Sequence, residues 1–315
     1  MSTKTVSEVK KSVDIEYSLR ERIIDENENT FPQNIVLETT TFCNLNCVIC
    51  THEKLSRKKA TMRWPLYIKL VEEIATKGND STRLFLCFFG EPLMDKHFAD
   101  RVFFAKQKGI KNVVINSNLN LMTKELSKEL VEAGLNNIFV GLDATTKDVY
   151  AQIRHGGDFE KTVNNVLYYK KMLDTFGSDD QQIVVQFIET PLNSHQKNQA
   201  VEFWNKHGIK VKVRPMVTWQ GVNGFNNDEI ELKNRIPCHF VMNVFPITAD
   251  GKAVYCGCDY DGRSIFADMS DNSIEKVWSV LKKEQRQIQL ACEWDKLPEF
   301  CRVCTDWKAG YANYE

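Results

Sequence analysis

Three cysteines, Cys43, Cys47 and Cys50, stand in a Cys-x3-Cys-x2-Cys array within residues 41–50, TFCNLNCVIC. Thiolate sulfur is a soft ligand that selects zinc, copper(I) or iron–sulfur clusters. A tetrahedral zinc or a closed cluster takes four protein ligands, so a compact triad with no neighbouring fourth cysteine predicts a cluster with one iron left open to bind something reactive. Two other readings of the triad stay open at this point: a ferredoxin-like electron carrier, and a structural zinc knuckle with a distant fourth ligand. His52 follows the triad in a polar stretch and is expected to be an exposed loop histidine rather than that ligand.

A second set lies near the other end of the chain. Cys238, Cys256 and the close pair Cys301-x2-Cys304 make a four-thiolate site if the Asp250-Gly251 turn closes a hairpin between the first two. A zinc ribbon and a four-cysteine iron–sulfur cluster both use such a set. Cys87 sits inside an apolar run and is expected to pack as a small hydrophobe. Cys292, in Ala291-Cys292-Glu293-Trp294, is expected to pack a helix end.

The elements that position these residues follow from hydrophobic period. Residues 1–32 form a polar lead-in with a loose helix over 7–27. Apolar runs at 35–37, 84–89, 113–115, 137–142, 183–188 and 211–213 then alternate with helical patterns at 65–76, 96–107, 123–133, 159–173 and 194–207. This alternation predicts an α/β fold, a parallel sheet curled into a partial barrel over 33–216, with chemistry beyond the C-terminal ends of its strands. The triad follows the first strand, as that rule requires. Residues 217–228, rich in Gly and Asn, read as a linker, and 229–315 as a small C-terminal α+β domain holding the second cysteine set.

Composition narrows the class. With 315 residues, 43% hydrophobic and 26% charged, the chain has an ordinary globular make-up and room for two domains. The first residues lack the apolar core of a signal peptide, and no segment approaches the roughly 18 apolar residues that span a bilayer. A cytoplasmic location is expected, where ten cysteines serve more often as ligands than as disulfides. A formal net charge of −1, with no basic stripe, supplies no field for nucleic acid. Neither nucleic acid nor membrane is expected as a partner.

The triad, with Ile49 before its third cysteine, resembles the signature of the radical S-adenosylmethionine (SAM) superfamily. The resemblance implies a (β/α)6 barrel and a [4Fe–4S] cluster held by Cys43, Cys47 and Cys50, with SAM chelating the fourth iron. One electron from the cluster would break the C5′–S bond, and the resulting 5′-deoxyadenosyl radical would remove a hydrogen atom from substrate. It also implies an electron donor of flavodoxin or ferredoxin type. Phe88-Phe89-Gly90-Glu91-Pro92-Leu93 is similar to the family's Gly-Gly-Glu-Pro turn, which binds the SAM amino group, with Phe89 in place of the first Gly. Asn116-Ser117-Asn118-Leu119 is similar to its Thr-Asn-Gly strand end, and Gly141-Leu142-Asp143-Ala144 to its Ser-Leu-Asp-Ala motif, here without the hydroxyl. Tyr150 to Arg154, followed by Gly156-Gly157, resembles the segment whose arginine meets the SAM carboxylate; otherwise Arg154 is a surface charge at a helix end. Gly90, Glu91, Asn118, Asp143 and Arg154 are thus the implied cofactor contacts.

The C-terminal cysteines, with the segment 272–278 ending at Trp278, resemble the SPASM/Twitch extension of the same enzymes. No cysteine follows Cys304, so the shorter Twitch form is implied, with one auxiliary [4Fe–4S] cluster on Cys238, Cys256, Cys301 and Cys304. Cys258 either faces the substrate cavity and donates a hydrogen atom to a product radical, exchanges with a ligand, or simply packs. The implied activity is oxidation or epimerisation of a small polar substrate such as an aminocyclitol, sugar or nucleotide sugar. The alternatives are a peptide maturase making an epimer or cross-link, and, in another class, a non-catalytic electron carrier or metal-binding interaction protein.

Overall fold

The computed structural model describes residues 30–222 and 235–311. The lead-in helix expected over 7–27 and the linker residues 223–228 lie outside the described residues. Six strands, β1 (Asn34–Leu37), β3 (Arg83–Phe85), β4 (Asn112–Ser117), β5 (Asn137–Gly141), β7 (Gln182–Glu189) and β8 (Lys210–Pro215), pair in parallel in that spatial order. Between them, β2 (Asn46–Cys47) and β6 (Arg154–His155) form a separate two-residue ribbon.

Each expected helix of the barrel is present, and local chemistry explains its limits. Pro65 sits in the first turn of Trp64–Lys77, where its missing N–H costs nothing. Tyr67, Leu70, Val71 and Ile74 give that helix one buried stripe. Thr123 caps Lys124–Glu132 by accepting from Leu126 N, and Asp158 caps Phe159–Phe176 by accepting from Lys161 N. The second strand stops at Phe85, short of the expected Phe89, and Phe88 and Phe89 line the cavity described below. Sequence periodicity gave no sign of the helix Lys147–Ile153.

The sheet does not end at β1. β9 (Val244–Ile247) pairs with β1 in parallel, β10 (Lys252–Val254) returns antiparallel to β9, and β11 (Ile265–Asp268) antiparallel to β10, giving nine strands among the described residues. The turn between β9 and β10 carries Gly251 at φ +87°, a conformation that glycine adopts freely. The main core lies between sheet and helices, and a smaller one gathers Cys238, Tyr255, Cys256, Cys301 and Trp307. Among the described residues no helix is long and apolar enough to cross a membrane.

Candidate active site

The loop after β1 carries the triad over the C-terminal mouth of the barrel. Cys43, Cys47 and Cys50 all line a cavity of about 270 Å³ there, together with Gly90, Glu91, Asn118 and Arg154. Asp143 lies just behind the wall and acts through Arg154. Burial pushes the Cys43 thiol up to about 11 and the Cys50 thiol up to about 12. Such thiols stay protonated until a metal takes the proton's place.

The ribbon fixes the loop. Cys47 pairs with Arg154 across β2 and β6, and Val48 N donates to Ile153 O at 3.0 Å. Arg154 is therefore no surface charge. Its Nε donates to Asp143 Oδ2 at 2.7 Å, Nη2 stands 2.5 Å from the same oxygen, and Nη1 lies 3.6 Å from Cys47 Sγ. Burial works against the guanidinium's charge, and Asp143 together with Cys47 and Tyr150 more than offsets it. Asp143 itself sits at φ +59°, a left-handed conformation that aspartate tolerates, and also accepts from Ile188 N. The missing hydroxyl at Gly141 now has a steric reason: a Cβ there would lie 2.2 Å from Arg154 Nη2.

Gly90 is equally constrained, since a Cβ would meet Thr40 O at 2.0 Å. Glu91 is buried and accepts from Leu93 N, Ser117 Oγ and Asn118 N at 3.2, 2.6 and 2.8 Å. Burial raises its pKa, and those donors oppose the rise. Asn118 Nδ2 reaches Asn44 Oδ1 at 2.9 Å, tying the end of β4 to the cysteine loop. Leu119, where the related motif has glycine, keeps glycine's backbone at φ +57° and offsets that strain by complete burial in the core.

His52 departs from expectation. It is 5% exposed, lines the cavity, and its Nε2 is hydrogen-bonded to Thr41 O at 2.8 Å, because the loop folds back on itself. Cys292 also departs: it stands at a helix end, but at φ +55° and exposed instead of packed. Cys87 is buried as expected and accepts from Asn116 N and Nδ2, each at 3.3 Å.

Sequence reasoning missed one wall of the cavity. Trp219 Nε1 donates to Ile49 O at 2.7 Å and its ring packs edge-on to Phe89, which in turn meets Tyr260. Asp306 holds this strap by accepting from Thr218 N, Thr218 Oγ1 and Gln220 N at 2.6, 2.8 and 2.8 Å. Phe89 replaces the glycine of the related motif by filling this aromatic contact. Only the Gly-rich composition of the segment marked it in the sequence.

Behind that wall the four thiols of Cys238, Cys256, Cys301 and Cys304 lie buried within electrostatic reach of one another. Burial raises Cys238, Cys301 and Cys304, and each is raised further by neighbouring thiols of the set. A bond from Cys258 lowers Cys256, while the same bond and burial raise Cys258, which lines the cavity. Arg235 donates to Cys301 Sγ at 3.3 Å, and fully buried Lys282 donates to Tyr255 O at 3.0 Å. Soft donors, buried and backed by the Arg235 guanidinium, suit an anionic iron–sulfur group. Among the described residues no three His, Cys, Asp or Glu side chains converge on a single ion position.

Residues 37–179 match the family model described as the radical SAM superfamily. A probable GTP 3',8-cyclase of Methanocaldococcus jannaschii is 24% identical over 181 residues, 58% of this chain and 58% of that protein, so the match spans little more than half the relative's length. BtrN in complex with AdoMet and 2-DOIA superposes with a TM-score of 0.60 at 16% identity, over 88% of this chain and 94% of that one. Streptococcus suis SuiB bound to precursor peptide SuiA gives 0.68 at 12% identity, over 90% and 73%. Fold and family match agree over the barrel: residues 37–179 are a radical SAM domain, of the superfamily whose cofactors are a [4Fe–4S] cluster and SAM.

Proposed function

We propose that the cavity is the active site of a radical SAM enzyme acting on a small polar substrate of sugar, aminocyclitol or nucleotide-sugar type, by oxidation or epimerisation. Cys43, Cys47 and Cys50 hold the SAM-binding cluster, and Cys238, Cys256, Cys301 and Cys304 an auxiliary [4Fe–4S] cluster in a Twitch-type domain. A flavodoxin or ferredoxin supplies electrons, and the location is the cytoplasm. The observation that carries this reading is that the triad, Arg154, Asn118, Glu91 and Cys258 share one cavity.

Bound there, cluster and SAM together supply the radical that removes a hydrogen atom from substrate. The chain's own part is positioning and exclusion of water. Arg154, oriented by Asp143, presents a planar fork suited to the SAM carboxylate. Glu91, saturated by three donors, keeps the Gly90 turn and the end of β4 in one arrangement. Phe89 and Trp219 close the side towards the C-terminal segment. Cys258 keeps its hydrogen on Sγ at the cavity wall. Transfer of that hydrogen atom to the opposite face of a substrate radical would give the epimer and leave a Cys258 thiyl radical to be reduced by the electron donor. Without it, loss of a proton and of one electron to an auxiliary cluster would give oxidation.

A peptide substrate is the second reading, favoured by the likeness to SuiB, whose structure holds a precursor peptide. Anaerobic reconstitution tests the proposal: two cubanes require about eight irons per chain, and reduction with SAM should release 5′-deoxyadenosine. Replacing the triad by alanine should remove about four irons and all cleavage. Full iron loading with no cleavage would leave an electron carrier instead. Cys258→Ala should abolish an epimerised product while deoxyadenosine formation continues.

A further inference from the structure

We propose that Arg235 is the fixed counter-charge of the auxiliary site and raises its reduction potential, a positioning role that suits the site to take up the electron released in substrate oxidation. The inference rests on reading the second cysteine set as an iron–sulfur site. Arg235 is 7% exposed. Its Nη2 donates to Cys301 Sγ at 3.3 Å, while Nη1 donates to Cys301 O at 2.8 Å and Arg302 O at 3.2 Å. The Trp294 ring lies 5.0 Å from the guanidinium. The two oxygens are the last carbonyls of the short helix Glu299–Arg302. Main chain thus holds one arm of the planar fork, and the other arm meets the sulfur.

A guanidinium does not lose its proton in a protein, and a buried charge needs an opposite one beside it. Carbonyls and a ring face solvate Arg235 without neutralising it. Among the described residues no carboxylate pairs with it: Asp259 meets Arg263, Glu293 meets Lys296, and Asp306 is taken up by Thr218 and Gln220. The anion left to it is the cysteine set. Protonated thiols carry no charge, whereas a bound metal group turns them into thiolates. Neutral donors also reach these sulfurs: Asp306 N meets Cys304 Sγ at 3.4 Å, and Gln289 Nε2 and Gln220 Nε2 lie 3.9 Å from Cys301 Sγ and Cys256 Sγ. Arg235 adds a full charge where these bring dipoles. Reduction puts one more negative charge on an already anionic group, so a cation touching one of its sulfurs stabilises the reduced state more than the oxidised one.

The full chain with Cys43, Cys47 and Cys50 replaced by alanine keeps the second set alone. Its reconstituted centre is titrated anaerobically with dithionite and redox mediators and followed by electron paramagnetic resonance. Arg235→Gln should lower the equilibrium constant for reduction about tenfold or more, the loss of a charge-assisted bond; for a one-electron couple tenfold is about 59 mV. Arg235→Lys, which keeps the charge and loses the fork, should stay within about threefold of the parent. A potential unmoved by Arg235→Gln, or one that falls equally in Arg235→Lys, would overturn the assignment. Iron loading lost in Arg235→Gln but kept in Arg235→Lys supports a counter-charge. Loading lost in both makes Arg235 a cap for the helix Glu299–Arg302 and overturns it. A parent that binds zinc but assembles no reducible centre would instead sink the auxiliary cluster, and zinc then reads the counter-charge by itself. Binding about tenfold weaker in Arg235→Gln and undiminished in Arg235→Lys would keep it; equal zinc affinity in all three proteins would remove it as well.

Discussion

Alanine at Gly141 tests whether the barrel interior was built around Arg154. A Cβ at this position lies 2.2 Å from Nη2 and 2.7 Å from Cζ of Arg154, so the guanidinium, the movable partner, has to leave. The side chain of Asp143 is 0% exposed and Arg154's 13%, so departure strands a buried carboxylate with Ile188 N as its remaining donor. Deleting one member of a buried pair costs about 3–5 kcal/mol, and Arg154→Ala should fall in that range. Displacing the guanidinium rather than deleting it should cost about 1–3 kcal/mol. Because the alanine acts through the guanidinium, Gly141→Ala should add almost nothing in the Arg154→Ala background, a coupling of about 1–3 kcal/mol. Anaerobic thermal midpoints of the four proteins, matched for iron content, read this out. At roughly 2–4 °C per kcal/mol, Arg154→Ala should drop on the order of 10 °C. Strictly additive costs, or a Gly141→Ala protein within about 0.5 kcal/mol of the parent, would refute the reasoning.

Gly90→Ala meets two backbone oxygens, Thr40 O at 2.0 Å and Phe42 O at 2.9 Å, neither of which can swing aside; it should cost about 1–3 kcal/mol or more and, by shifting the peptide before Cys43, lower iron retention at the triad. Lys212 should reveal itself by pH. Its folded pKa of about 8 lies below the ordinary 10.5, so its buried charge destabilises the fold fully below pH 8, and the penalty fades as pH rises from 8 towards 10.5. Lys212→Met should therefore raise the thermal midpoint at pH 7, with an advantage that narrows over that window; an advantage that grows with pH contradicts the assignment. Asp306→Asn keeps one oxygen where two serve Thr218 and Gln220, so amide exchange at those residues should quicken, with a stability loss of about 1–3 kcal/mol.

What the sequence disclosed was local. The triad, the Gly-Glu-Pro turn and the alternation of six strands with five helices are each set by spacing or period within a few residues, and apart from the shortened second strand the structure has them where the pattern put them. What stayed hidden depends on partners far along the chain. His52 is buried because Thr41 O, across the folded loop, satisfies its ring, and nothing in its polar neighbours announces that. Arg154 occupies the space left by Gly141 and pairs with Cys47, residues known to be neighbours only once β5 and the ribbon exist. Asn116, Gln186 and Arg214, on three separate strands, are joined by hydrogen bonds that none of the three announces singly. Leu119 shows the converse: the motif's glycine is absent, yet the backbone it would have served is present at φ +57°.

The same contrast explains how the second cysteine set can be held at a fixed place relative to the cavity. A linker alone would leave that placement loose. Here β9 lies along β1 in continuous parallel register from Asn34↔Val244 to Leu37↔Ile247. At the end of that pairing stands Glu38, wholly buried, its two oxygens bridged by Arg57 at 2.6 and 2.7 Å and accepting from Phe89 N at 3.3 Å and Ala249 N at 2.9 Å. A buried carboxylate is tolerable only with its donors in place. Those donors come from the loop after the triad, the turn before Gly90 and the β9–β10 turn, so Glu38 is satisfied in one mutual arrangement of all three. Lys69 on the first barrel helix repeats the logic by donating to the carbonyls of Met269, Ser270 and Asn272. Transfer of a hydrogen or an electron across the cavity tolerates little positional slack. Main-chain pairing and one buried carboxylate fix the two parts to each other at residues far from the segment that joins them in sequence.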